Sequence, residues 1–117
     1  MEKLEITSIW FESDNWANPC DENDGNMDVI FTLSNKTKWA ATFFTYQNIL
    51  SLSRKNKATG ECLNGHFFCA KDMILIDRLN KENIRSVLDE MLKEDNISAY
   101  CSQIEDWKID YGPTNDI

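Results

Sequence analysis

Three side chains with ligand or nucleophile chemistry, Cys62, His66 and Cys69, stand close together in the stretch TGECLNGHFFCA (Thr59–Ala70). Their spacing is C-x3-H-x2-C, and thiolates with an imidazole are donors that zinc prefers. A structural zinc site needs four ligands, and zinc ribbons and knuckles supply short Cys-x2-Cys pairs. This chain has no such pair. Its cysteines lie at positions 20, 62, 69 and 101, and His66 is its single histidine. We therefore expect no metal. Cys69, beside Phe67 and Phe68, reads instead as a small apolar residue in a strand core. A Cys–His nucleophile needs both groups within hydrogen-bond reach and a third group to orient the imidazole. No signature surrounds either cysteine, and a lone histidine at a strand entrance is usually a polar surface residue. If the stretch lines a pocket, Cys62, His66 and Asp72 are its candidate residues. Otherwise Gly60 closes a helix, Gly65 makes a turn, and HFFCA begins a strand.

Other chemistries fare no better. Twenty acidic residues make any one carboxylate pair uninformative. The glycines of TGECLNG are not followed by Lys-Ser/Thr, and a strand rather than a helix is expected next, so this is no phosphate loop. Taking Gly25 as the invariant glycine of a calcium loop would put Cys20 at its first position and Phe31 at its last, where neither can serve. No catalytic residue and no cofactor is expected, and the balance lies against an enzyme.

Charge is more informative. The chain of 117 residues carries a formal −8. Residues 1–28 hold eight acids (Glu2, Glu5, Glu12, Asp14, Asp21, Glu22, Asp24 and Asp28) against Lys3 alone, so nearly all the excess sits in the first quarter. Nucleic acid and anionic membrane surfaces both demand Lys and Arg, and are expected to be no partners. A basic protein is the partner such a segment would suit. MEKLEITS has no apolar signal region, no stretch reaches the ~20 apolar residues of a membrane span, and the cysteines are few and dispersed. These features predict a cytoplasmic protein with free thiols, folded as a single domain over residues 1–117.

The elements that must position these groups follow from patterning. Leu4–Phe11, Met27–Ser34 and Trp39–Tyr46 are rich in β-branched and aromatic residues and read as strands, the last two joined at NKTK. Glu12–Asn26 between them is a long loop. Thr45 is placed to cap a helix that Arg54, Lys55 and Lys57 suit at its C-terminus and Gly60 ends. His66–Asp77 is expected to be extended, with MILI as a buried strand. Asn80 caps a second helix, in which Leu79 and Ile84 form a hydrophobic staple and Ile84, Val87, Leu88, Met91 and Leu92 form one face. Residues 97–104 fit either a helix or a strand. Asp106–Tyr111 alternates as a half-exposed strand. The order β-β-β-α-β-α-β predicts an α+β fold: a mainly antiparallel sheet of about five strands with two main helices packed on one face. Trp10, Trp39 and Trp107 are expected in the core. Trp16, among loop carboxylates, could instead anchor a partner.

Three blocks, WAATFFTYQNI, TGECLNGHFFCAKDMILID and LNKENIRSVLDEML, resemble a group of small uncharacterised bacterial proteins that share an aromatic strand, a T-G-E-C-L-x-G turn and an aspartate-methionine strand start. The resemblance covers residues 39–92 and implies no particular activity. In size and charge the chain is also similar to immunity proteins of bacterial toxin systems, by analogy alone. The function expected is a non-enzymatic binding protein, an immunity-type inhibitor of a cationic protein, with Glu12, Asp14, Trp16, Asp21, Glu22 and Asp24 as its binding residues. The alternative is a small enzyme or ligand-binding domain with a pocket at Cys62, His66 and Asp72.

Overall fold

The computed structural model describes residues 3–104. Strands β1 (Ile6–Phe11), β2 (Asn26–Leu33) and β3 (Lys38–Thr45) form an antiparallel meander. Helix α1 (Tyr46–Thr59) and a short turn, α2 (Glu61–Gly65), lead to β4 (Met73–Ile76), which pairs parallel to the C-terminal half of β3. Helices α3 (Lys81–Lys93) and α4 (Ile97–Tyr100) precede β5 (Ser102–Ile104), which pairs antiparallel to the other half of β3. The fold is α+β with a mainly antiparallel five-stranded sheet in the order β1-β2-β3-β4, β5 sharing the β3 edge with β4. Residues 97–104 thus satisfy both readings in turn, a helical turn and then a strand. The Asp106–Tyr111 strand and Trp107 lie outside the described residues.

Alternation on the strands decides the core. Met27, Val29, Phe31 and Leu33 of β2 and Ala41 and Phe43 of β3 share one buried face with Ile74 and Ile76 of β4. Helix α3 supplies Ile84 and Leu88, both fully buried, and Leu79 before it completes the staple. Each such side chain contributes about 1.5–3 kcal/mol on leaving water. In β1 a register shift between Ile6 and Ser8 lets Ile6 and Ile9, three residues apart, both turn toward this core. Phe11 follows Ile9 in phase. Trp10 therefore points the other way and is 44% exposed, against the expectation of a core tryptophan. Trp39 is partly buried and packs on the core.

Local signals set the helix ends. The Thr45 hydroxyl accepts from the Asn48 N–H at 3.0 Å, and the Asn80 side chain accepts from the Asn83 N–H at 2.8 Å. Gly60, at φ 89°, closes α1 in the left-handed conformation that costs glycine nothing.

The stretch after Gly60 departs from expectation. Cys62, Leu63 and Asn64 all have left-handed backbone angles, with φ of 53°, 52° and 59°, and Gly65 follows at 76°. Residues 67–70 then have no regular structure, so HFFCA does not begin a strand; β4 starts only at Met73. Cys69, lacking strand neighbours to cover it, is exposed, which overturns its expected burial. Cys101 is the buried cysteine instead. The phenylalanines divide: Phe68 stacks edge-on against Phe44 at 5.5 Å, and Phe67 stays in water.

Candidate functional site

The acidic loop has a defined shape because its carboxylates find partners on the body. Glu12 opens it in a 3-10 turn (Glu12–Asn15) and accepts from the Asp28 N–H at 2.8 Å. Asp14 meets Lys81 Nζ at 2.7 Å, and the same ammonium lies 5.2 Å from the centre of the Phe11 ring. Asp21 accepts from the N–H groups of Asn23 and Asp24, the short-range pattern that makes aspartate a turn residue. Glu22 pairs with Arg78 at 2.9 Å, while its backbone carbonyl accepts from the Leu79 N–H at 2.8 Å. Asp24 accepts from the Asn48 amide at 2.9 Å and the Ser51 hydroxyl at 2.7 Å, tying the loop to α1. Those two hydrogen bonds, helped by the charge of Arg54, hold the Asp24 carboxyl below its ordinary pKa. At the loop's end Gly25 makes two hydrogen bonds with Thr45: its carbonyl accepts from the Thr45 N–H, and its own N–H donates to the Thr45 side-chain hydroxyl.

Ion pairs this exposed add little stability one by one, roughly 0–1 kcal/mol each. Their collective effect is to fix the path of the chain. The sequence-predicted residues Glu12, Asp14, Asp21, Glu22 and Asp24 are brought onto one ordered loop. Trp16 stands out from it, among exposed neighbours from Asp14 to Pro19. Lys81, Arg78, Asn48 and Ser51, which hold the loop, had no place in the sequence-level site.

Beside the loop lies an apolar hollow of about 470 Å³ on the sheet face opposite the core. Ser8 and Trp10 of β1, Ile30 and Thr32 of β2 and Lys38 of β3 line it, with Asp14 at its edge. The cross-strand pairs Trp10–Ile30 and Ser8–Thr32 form its floor. Lys38 Nζ donates to Thr32 Oγ1 at 2.9 Å. The hollow thus joins an exposed indole to the loop that carries the second one.

The alternative residues are arranged differently. Cys62 sits half-buried within the left-handed turn, and His66, just after it, is exposed. Asp72 is engaged elsewhere: its carboxylate accepts from the Ser102 hydroxyl at 2.7 Å, and its carbonyl from the Thr42 N–H. The cavities described here are lined by other residues. Among the described residues no three His, Cys, Asp or Glu side chains gather in a way that could hold a metal ion. Burial, with the Asp72 charge second, pushes the Cys101 thiol up to about 12, the reverse of what a nucleophile needs. Cys20 is raised too, by burial and then by Glu22 and Asp21. No described helix is long and apolar enough to cross a membrane.

No protein-family model, curated protein or solved structure matches this chain.

Proposed function

We propose that this chain is a non-enzymatic binding protein, an immunity-type inhibitor that caps a cationic protein with its acidic N-terminal loop. The observation that carries the reading is the preformed loop. Its carboxylates fasten it to β2, α1 and the α3 N-terminus, so little conformational freedom is lost when a partner arrives. Charge concentrated on such a surface steers encounter with a basic partner and raises the association rate. Trp16 and Trp10 supply the large, rigid apolar surfaces that carboxylates lack and that binding hot spots favour.

The test separates steering from anchoring. Immobilised protein incubated at low salt with extract of its own cells and their neighbours should retain a basic protein whose activity falls when the chain is added in equimolar amount. Asp14→Asn, Asp21→Asn and Glu22→Gln together keep the side-chain oxygen acceptors that shape the loop while removing charge. This variant should associate more slowly, by a margin that fades as salt rises. Trp16→Ala should instead dissociate faster. An unchanged association rate for the neutralised variant in low salt would reduce the acidic loop to a solubilising surface.

A further inference from the structure

Strand β1 is an outer strand of the sheet: β2 takes one of its edges, and no described strand takes the other. Natural sheets blunt such edges with charge, proline or an irregular register. Here the register shift between Ile6 and Ser8 and the Arg85 guanidinium, which donates to the Ile6 carbonyl at 3.3 Å, guard only the beginning. From Ser8 to Phe11 the edge carries no charged residue and no proline, and its backbone groups find no partner on that side among the described residues. Four residues of extended chain make a free edge about 13 Å long.

A hollow lies on each side of this edge. The one beside Trp10, described above, is on the outer face. A second, of about 490 Å³, is on the core side, floored by Ile9 and Phe11 and walled by Lys81, Glu82, Arg85 and Ser86 of α3. Ile9 borders both. Only a chain whose side chains point alternately to the two faces can fill both hollows while its backbone meets the edge, and such a chain is an extended strand. A helix or a small molecule would fill one hollow and leave the edge unpaired.

Charge decides whose strand it is. Lys81 and Arg85 are matched by Asp14 and Asp89. Glu5 before the edge, Glu12 and Asp28 at its end and Glu82 on α3 have no ion-pair partner among the described residues. Against them stand Lys3 and, at the far end of the outer hollow, Lys38, which is bonded to Thr32. The slot is therefore net negative, with carboxylates near both of its ends. A second copy of β1, paired antiparallel about a two-fold axis, would bring Glu12 of each copy toward Glu5 of the other, and like charges facing across a strand pair are unfavourable. We propose that β1 takes an extended segment of the cationic partner by strand addition, a segment apolar where it meets the two hollows and carrying lysine or arginine at its ends. The partner's chemistry rests on the binding role proposed above; the mode of contact does not.

The probe is a capped peptide of lysine, valine, threonine, phenylalanine, threonine, valine and lysine, in that order. Titrated into the full chain at low salt, it should bind with a Kd below about 1 mM. Amide exchange within Ser8–Phe11 should slow in proportion to the bound fraction, and β4, another outer strand, should stay unchanged. Trp10→Asp, which puts a charge in the outer hollow without touching the core, should weaken binding at least tenfold; Leu75→Asp on β4 should not. A peptide with glutamate at both ends should bind several-fold more weakly, by a margin that fades as salt rises. No saturable binding in this range, no added protection in β1, or protection that grows with the concentration of the chain alone, as a second copy would give, overturns the proposal. Equal binding of the glutamate-ended peptide overturns the basic chemistry given to the segment. A basic protein that the chain retains while its β1 amides stay unprotected also overturns the strand site and leaves the acidic-loop reading standing. A peptide that pairs with β1 when no basic protein is retained supports the strand site and removes that reading instead.

Discussion

Replacing Thr45 by valine tests how the loop, the sheet and α1 are joined. Thr45 is fully buried at the end of β3, and its hydroxyl accepts from two backbone donors: Asn48 N–H at 3.0 Å and Gly25 N–H at 3.2 Å. Valine keeps the shape, so no cavity forms, but both acceptor bonds go. Loss of an N-cap costs about 1 kcal/mol. A partly buried Gly25 N–H left without a partner costs about 1 kcal/mol more, the low end of the range for an unmade bond. A total near 2 kcal/mol in a domain of this size should lower the thermal midpoint by about 6–12 °C. Thr45→Ser keeps the hydroxyl and loses only one buried methyl, about 0.8 kcal/mol, so it should fall between wild type and Thr45→Val. Thermal unfolding followed by circular dichroism gives the order. If burial alone mattered at this position, valine would be neutral or stabilising, and a Thr45→Val midpoint at or above that of Thr45→Ser would refute the reasoning. Amide exchange supplies a local check: the Asn48 amide should lose protection in the valine variant even where the core strands do not.

Two further outcomes follow from the titrating groups. In the native protein near pH 8, timed alkylation read by mass spectrometry should label exposed Cys69 first and leave Cys101 unlabelled until the chain unfolds, because burial holds its thiol neutral; early labelling of Cys101 would place it outside the core. Asp24, whose folded pKa is lowered by the hydrogen bonds from Asn48 and Ser51, contributes stability that is complete above the ordinary aspartate value of about 3.9 and is lost as pH falls through the lower folded value, so Asp24→Asn should be less stable than wild type near pH 7 and approach it near pH 3. A stability gap that is the same at both values would mean that the carboxylate's charge is not what those bonds favour.

The elements legible in the sequence are those specified within a few residues. Thr45, Gly60, Asn80 and the Leu79–Ile84 staple are local devices, and each is found in place. What depends on phase or on distant partners was harder to read. Ile9, Trp10 and Phe11 are three apolar residues in a row on a strand, so one must face away from the core. Composition does not say which; the register shift near Ser8 decides it against Trp10. The left-handed turn has only Asn64–Gly65 as a signal, since Cys62 and Leu63 are ordinary L-residues in an unfavourable conformation. Cys69 was misplaced because proximity to two phenylalanines says nothing once the strand they were assigned to is absent.

The anchors of the acidic loop did leave a trace. Arg78 and Lys81 lie just before and at the start of α3, where the helix dipole disfavours cations. Two cations placed against the dipole need anions elsewhere, and Glu22 and Asp14 are those anions. This also changes what the excess charge of residues 1–28 can do. Part of it is already balanced by the body and serves to hold the loop. Glu5, Asp21 and Trp16 are exposed and remain for the partner proposed above. A partner's cations need not displace Lys81 or Arg78, because exposed pairs leave carboxylate oxygens available on their solvent side. The same carboxylates can therefore order the loop in the free protein and bind in the complex proposed above, and a charge variant that keeps their oxygen acceptors is the one that tells these two roles apart.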